Sequence, residues 1–164
     1  MSDPGGNQLI RPVHIEEAAA LHALTRRSTM YWGYEPEFLD WEPESIAVTP
    51  EFLEKALASF ALEEDGVVTG YYTLTGTAEH AHLDKLFVDA PFIGTGRGKL
   101  LWNHAIATAK WLKLQKLDFY ADPNAAPFYR AMGAVWISEE ETSRPGWNLQ
   151  FFEVPIDRSG TSMR

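Results

Sequence analysis

The stretch Val88-Asp-Ala-Pro-Phe-Ile-Gly-Thr-Gly-Arg-Gly-Lys-Leu-Leu-Trp-Asn-His-Ala-Ile-Ala-Thr-Ala109 decides how the rest of the chain is read. It runs as a strand end, a glycine-rich turn and then a helix. Gly94, Gly96 and Gly98 let the backbone bend tightly and leave its N–H groups uncovered by side chains. The helix that follows presents unbonded N–H groups and its positive dipole end to that turn. Together these features predict a site for a phosphate-bearing ligand.

On the C-terminal side, Leu100, Leu101, Ala105, Thr108, Ala109 and Leu112 have the spacing of the helix's buried stripe. Lys116–Asp122 reads as a strand stopped by Pro123, and Asn124–Met132 as a short helix ended by Gly133. Ala134–Ser138 and Asn148–Ile156 read as closing strands, with a long loop over 139–147 between them. On the N-terminal side, Glu79–Val88 alternates so that His80, His82, Asp84, Leu86 and Val88 share one face. Before it, residues 61–74 form two strands around a turn at Asp65 and Gly66. Thr49 caps a helix with Pro50 at its first position, and that helix is expected to reach about Phe60. Leu9–Val13 is a short strand that Pro12 assigns to a sheet edge or an early end. His14–Thr25 is helical, with Ile15, Ala18, Ala19, Leu21 and Leu24 on its apolar face.

Residues 30–44 are aromatic, acidic and broken by proline, with Tyr31, Trp32, Tyr34, Phe38 and Trp41 among Glu35, Glu37, Asp40, Glu42 and Glu44. Such a stretch suits the wall of a pocket for a cation, and equally a helix pair with a solvated acidic face. With 164 residues, one domain is expected over 9–156, between a flexible leader (1–8) and a flexible tail (157–164). The chain has no cysteine, which removes disulfides and thiolate catalysis. Its net charge of −9 argues against nucleic acid and is compatible with a cationic substrate, or simply with solubility. No secretory signal or membrane span is recognisable, so a cytoplasmic protein is expected.

Three kinds of glycine loop are to be compared. A Walker loop would need glycine at 93 and Ser or Thr at 100, where the chain has Ile93 and Leu100. A dinucleotide loop needs Gly-x-Gly-x-x-Gly directly after its strand; here the glycines alternate and follow Val88 at a distance. Asp118 lies near where that fingerprint wants its acid, but too little chain remains for a doubly wound sheet. The third pattern is Leu86-Phe-Val88, Gly96-Arg-Gly98, a long helix, a strand, and Asp122-Pro-Asn-Ala-Ala-Pro-Phe-Tyr-Arg-Ala-Met-Gly133. It resembles the GNAT family of acetyl-CoA-dependent N-acetyltransferases. One position departs from the family pattern: Ile93 stands where Gln or Arg is usual.

The resemblance implies an α/β fold in three layers: a mixed, mostly antiparallel sheet of six or seven strands with helices on both faces. It implies acetyl-CoA as cosubstrate, with Ile93, Gly94, Thr95, Gly96, Arg97, Gly98 and Lys99 at the pyrophosphate. Arg97 and Lys99 would then offset the charge that Ile93 does not. Leu86, Phe87 and Val88 would line the pantetheine arm, the backbone near Phe87 polarising the thioester carbonyl. Asn124 would meet the CoA arm or cap the helix it begins, and Phe128 belongs to the same block. Tyr129 takes the family's place for the acid that protonates the departing thiolate, and is otherwise a core tyrosine.

An amine acceptor must lose a proton before it attacks. For a lysine-like amine this costs roughly 4–5 kcal/mol at pH 7, so a base should help. His82 falls where several relatives carry a glutamate; Asp84 could orient it or act itself, and a water relay could replace both. His104 reads as structural. His80, His82 and Asp84 have no third histidine nearby, so no metal is expected. The partners implied are a small-molecule or peptide amine, with no nucleic acid and no membrane; many relatives form homodimers. The competing class is a non-catalytic acyl-CoA sensor, which would need the loop but neither proton donor nor acceptor. The acceptor's specificity is expected to lie in 30–44 and 139–147, away from the cofactor motifs.

Overall fold

The computed structural model describes residues 7–33, 47–142 and 145–156. Its strands are β1 (Gln8–Pro12), β2 (Ala58–Glu64), β3 (Val67–Gly76), β4 (Ala81–Val88), β5 (Lys116–Ala121), β6 (Val135–Glu140) and β7 (Leu149–Pro155). They form a seven-stranded sheet in the order β1-β2-β3-β4-β5-β7-β6. The pairs β1–β2, β5–β7 and β6–β7 are antiparallel, whereas β4 and β5 run parallel. The helices are α1 (Ala18–Met30), α2 (Pro50–Lys55), α3 (Arg97–Trp111) and α4 (Ala126–Ala131). Short 3₁₀ turns cover Ile15–Glu17 and Ala90–Phe92.

The described residues fall into two compact units. One is drawn from Met1–Thr73 and Lys85–Leu101, the other from Leu74–Asp84 and Trp102–Arg164. In the first, α1 buries Ala18, Leu21 and Leu24 with Leu53, Ala61 and Tyr71. Ile15 and Ala19, expected on that apolar face, are exposed; Thr25, Ser28 and Thr29 are buried in their place. The two threonine hydroxyls are bonded: Thr25 Oγ1 donates to the Leu21 carbonyl (2.7 Å) and lies 2.5 Å from the Tyr71 hydroxyl, and Thr29 Oγ1 donates to the Thr25 carbonyl (2.9 Å). Asp65 and Gly66 both have positive φ (53° and 84°), as a type I′ turn between β2 and β3 requires.

The Thr49 cap is present, its hydroxyl accepting from the Phe52 N–H at 3.0 Å. The helix nevertheless stops at Lys55 rather than near Phe60. The Ser59 carbonyl takes the Val13 N–H (2.9 Å) and Phe60 pairs with Pro12, so sheet pairing wins over helix extension. Pro12 closes β1, which lies at the edge of the sheet, where its missing donor does no harm.

In the second unit, Trp102, Phe119, Tyr129 and Phe152 make a tight aromatic cluster. Ring centroids lie 5.9 Å apart for Trp102–Phe119, 4.6 Å for Phe119–Tyr129 and 5.6 Å for Phe119–Phe152. Each such pair adds about 0.5–1.5 kcal/mol beyond its area burial. The stripe of α3 is shifted from expectation. Leu101, Ala105 and Ala109 are buried, but Leu100 is 40% exposed and Trp102 is buried instead. The indole of Trp102 brings far more apolar area than Leu100 could, so the helix is rotated to admit it.

Candidate active site

The glycine turn and the residues that hold it belong to the first unit. Gly94 and Gly96 have φ of +83° and +88°, and nothing stands within 4 Å of where either Cβ would be. These are left-handed positions that side chains rarely adopt. The loop is therefore bent as a phosphate cradle must be, with open space on its outer side. Helix α3 starts at Arg97, so the N–H groups of its first turn have no intrahelical acceptor. The donors present thus suit a pyrophosphate.

Asp89 ties down the start of the loop. Its N–H donates to the Thr69 carbonyl (2.9 Å), and its carboxylate accepts from the Ala90 N–H (2.8 Å) and twice from Arg27 (2.9 Å each). An acid directly before Ala-Pro is a recognisable cap signature, and it is the signal in the sequence that marks Asp89. Thr95 Oγ1 donates to the Phe92 carbonyl and closes the turn from within.

Arg97 is not poised over the loop as a free cation. Its Nε and Nη2 donate to the Glu64 carboxylate at 2.5 and 2.8 Å, its Nη1 donates to Thr95 Oγ1 at 2.7 Å, and its guanidinium lies 4.5 Å from the Phe92 ring centroid. The hydrogen bonds from Arg97 hold the Glu64 carboxyl below its usual range. Lys99 is exposed on α3. Ile93 is half-buried and extended, its N–H reaching the Ala90 carbonyl at 3.4 Å.

Leu86, Phe87 and Val88 are half-buried at the end of β4. The Phe87 ring stacks on Tyr71 at 6.1 Å. Gly70 on β3 is required there, since a Cβ would come within 2.8 Å of Leu101 Cδ1 and 3.0 Å of the Phe87 carbonyl oxygen. Nearby Lys85 is buried, its Nζ lying 4.4 Å from the Phe52 ring centroid.

The other candidates belong to the second unit. Alternation along β4 buries Ala81 and Leu83 and leaves His82 and Asp84 exposed on one face, as the sequence pattern predicts. His82 Nδ1 lies 2.5 Å from Asp118 Oδ1 on β5, directly across the parallel ladder. This partner of His82 was not anticipated. The sequence marks Asp118 only as a possible dinucleotide-loop acid, because its closeness to His82 depends on pairing two strands that are far apart in sequence.

Tyr129 sits on α4, only 7% exposed, with Phe128 edge-on at 5.0 Å and Trp102 at 5.7 Å. Burial, and then the charge of Asp122, push its phenol well above the ordinary value, so the hydroxyl keeps its proton. Asn124 does not cap α4. The N-cap residue is Ala125, with no side-chain cap bond; the Asp122 carboxylate instead closes the turn before the helix, accepting from the Ala125 N–H at 2.7 Å and also from the Asn124 backbone. Gly133 (φ +95°) ends the helix as expected. His104 is half-buried within hydrogen-bond reach of Thr108 Oγ1 (3.4 Å), and burial lowers its pKa.

Of the stretch 30–44, only Met30–Gly33 lies within the described residues; there Tyr31 and Trp32 are exposed and meet edge-on at 5.1 Å. In 139–147, residues 143–144 are likewise outside them, and Thr142 Oγ1 donates to the Trp147 carbonyl at 2.6 Å. Among the described residues, no three His, Cys, Asp or Glu side chains gather as metal ligands, and no helix is long and apolar enough to cross a membrane.

The strand, the glycine turn bent by two left-handed glycines and the helix opening onto that turn fit the GNAT pattern that the sequence resembles. Residues 40–153 match the family profile described as "Acetyltransferase (GNAT) domain". The chain is 31% identical, over 126 residues, to the peptidyl-lysine N-acetyltransferase YjaB of Salmonella typhimurium, covering 76% of this chain and 81% of that protein. It therefore belongs to the GNAT acetyltransferase family. Its fold is similar to the ribosomal-protein-S18-alanine N-acetyltransferase from Escherichia coli (TM-score 0.72, 15% identity, 96% and 99% of the two chains). It is also similar to the PaiA N-acetyltransferase from Thermoplasma acidophilum, a structure solved with coenzyme A (TM-score 0.71, 20% identity, 90% and 98% of the two chains).

Proposed function

We propose that this chain transfers the acetyl group of acetyl-CoA to a primary amine by direct attack, with 9–156 acting as one domain in the cytoplasm. The observation that carries the reading is the glycine turn, with left-handed Gly94 and Gly96 and open space beyond them. The backbone of Ile93–Lys99 binds the pyrophosphate through its N–H groups. Arg97 shapes that loop from its bond with Glu64, and Lys99 supplies charge. Leu86, Phe87 and Val88 bind the pantetheine arm, and the backbone near Phe87 polarises the thioester carbonyl. Bound acetyl-CoA supplies the activated acetyl group.

His82, exposed on β4, takes the proton from the acceptor ammonium, with Asp84 two residues along the same face. Tyr129 keeps its proton through burial and gives it to the departing sulfur. Asn124 and Phe128 complete the block that binds the CoA arm. The relative that acetylates peptidyl lysine makes a lysine side chain the first acceptor to try, consistent with the net charge of −9.

The test is thiol release from acetyl-CoA across a panel of amines: lysyl peptides, peptides with a free N-terminus, free amino acids and polyamines. Turnover with one class identifies the acceptor. Tight CoA binding with no thiol release from any amine would replace this reading with a non-catalytic sensor.

A further inference from the structure

The proton-accepting side of the proposed reaction has a feature the sequence pattern hid. His82 and Asp118 face each other in the parallel register of β4 and β5. The carboxylate reaches Nδ1 of the ring, not Nε2, at 2.5 Å. Asp118 is well covered, its side chain 17% exposed, while that of His82 is 46% exposed. The ring's other flank is set by Gly76 on β3, where a Cβ would lie 3.1 Å from His82 Cδ2. Gly76 has φ +97°, and a Cβ there would come within 2.1 Å of the His80 carbonyl oxygen, so no side chain can replace it without moving the turn. The imidazole thus stands between a carboxylate and a glycine, with Nδ1 bonded to the carboxylate and nearly half of the side chain exposed.

The ionisable groups around it are His80 in the bend before β4, Asp84 on its own strand, and Lys116, Asp118 and Tyr120 on β5. On β7, Glu153 pairs with Asp118 in register and is held by Lys116 Nζ at 3.0 Å. On β6, Glu140 accepts from the Tyr120 hydroxyl at 2.9 Å. Gly76 of β3 brings no charge. Two of the neighbouring acids therefore have partners of their own, and the carboxylate aimed at the ring is Asp118.

A neutral imidazole has one N–H and one lone pair, and an ionised carboxylate can only accept. Nδ1 beside Asp118 must therefore carry the hydrogen, and Nε2 the lone pair. We propose that Asp118 is the positioning residue of the base: it fixes the Nδ1–H tautomer of His82, aims Nε2 outward, and stabilises the imidazolium formed when Nε2 takes a proton from the acceptor ammonium. The ammonium N–H bond breaks, an Nε2–H bond forms, and the proton later leaves to water. Asp118 remains ionised throughout. This rests on the reading of His82 as the base.

The test uses the full chain labelled with ¹⁵N-histidine, in wild type, Asp118→Asn, Asp118→Ala and His82→Ala. Long-range ¹H–¹⁵N correlation at about pH 8.5, where an ordinary imidazole is neutral, reports which nitrogen carries the hydrogen. Wild-type His82 is expected to be Nδ1–H, and Asp118→Ala to revert mainly to Nε2–H. With N-acetyl-lysine methylamide and acetyl-CoA, kcat/KM is expected to fall about 10- to 100-fold in Asp118→Ala. Asp118→Asn keeps the volume should the alanine variant fold poorly; its amide can bond either tautomer, so its readout is the fall in kcat/KM that loss of the carboxylate charge brings. Nε2–H in the wild type, Nδ1–H persisting in folded Asp118→Ala, or an unchanged kcat/KM in Asp118→Asn overturns the proposal while leaving His82 as a candidate base. An acidic limb that survives in His82→Ala removes the base itself, and the positioning role falls with it.

Discussion

Replacing Tyr129 by phenylalanine removes one oxygen from a ring that is 7% exposed and packed against four aromatic neighbours. These are Phe119 at 4.6 Å, Phe128 at 5.0 Å, Trp102 at 5.7 Å and Phe152 at 6.2 Å. Phenylalanine fills the same space, so folding stability near neutral pH should change by less than about 1.5 kcal/mol. The kinetic effect should be much larger. Burial keeps the phenol protonated across the assay range, so the hydroxyl is always in donor form. A positioned acid contributes about 10²–10⁴-fold, and we expect kcat to fall by at least about 10²-fold. Affinity for CoA, measured by calorimetry, should be unchanged, because the loop backbone is intact. Unchanged kcat in a folded variant would remove Tyr129 as the acid.

The same substitution has an alkaline signature. The folded phenol holds its proton more tightly than the unfolded one, so the stability linked to it is present below the unfolded value of about 10 and is lost as pH rises beyond it. Urea midpoints between about pH 9 and pH 11 should therefore fall more steeply in the wild type than in Tyr129→Phe. Parallel curves would contradict the burial argument.

Gly96→Val forces a β-branched residue to φ +88°, and calorimetry should show CoA binding weakened by about tenfold or more; intact affinity would contradict the loop assignment. Asp122→Ala removes the carboxylate that closes the turn before α4 and should cost about 1 kcal/mol in a melting experiment. Asp122→Asn keeps an acceptor without the charge that burial disfavours. Because burial raises the Asp122 pKa, its favourable contribution is full at acid pH and is lost as pH rises through the folded value. The asparagine variant should therefore gain Tm relative to wild type as pH climbs from about 4 to 7. Phe119→Ala opens the aromatic cluster at its centre and should cost about 3–5 kcal/mol by urea denaturation.

Local chemistry made much of this fold readable. Asp65-Gly66, Thr49-Pro50 and Gly133 each mark a turn or helix end through their own backbone preferences, and each stands where the sequence puts it. The alternation of β4 likewise assigns His82 and Asp84 to one face. What was misread depends on distant partners. Residues 58–60 continue a helical pattern, yet pairing with β1 draws them into β2. Leu100 and Trp102 differ by two helix positions, and the aromatic cluster that chooses between them is assembled from three later elements. Arg97 and Asp118 have the same history: the partners that define their roles, Glu64 and His82, lie 33 and 36 residues away.

The commitment of Arg97 to Glu64 changes what sort of attraction the glycine turn can exert. With Arg97 held by a carboxylate at 2.5 Å, the loop offers a ligand oriented dipoles and the single charge of Lys99. In a chain of net charge −9, binding of the polyanionic CoA should then vary little with ionic strength, or even improve as added salt screens the repulsion. Recognition of this kind depends on shape and hydrogen-bond direction. It should let the site reject compact inorganic anions that a bare arginine would collect from solution.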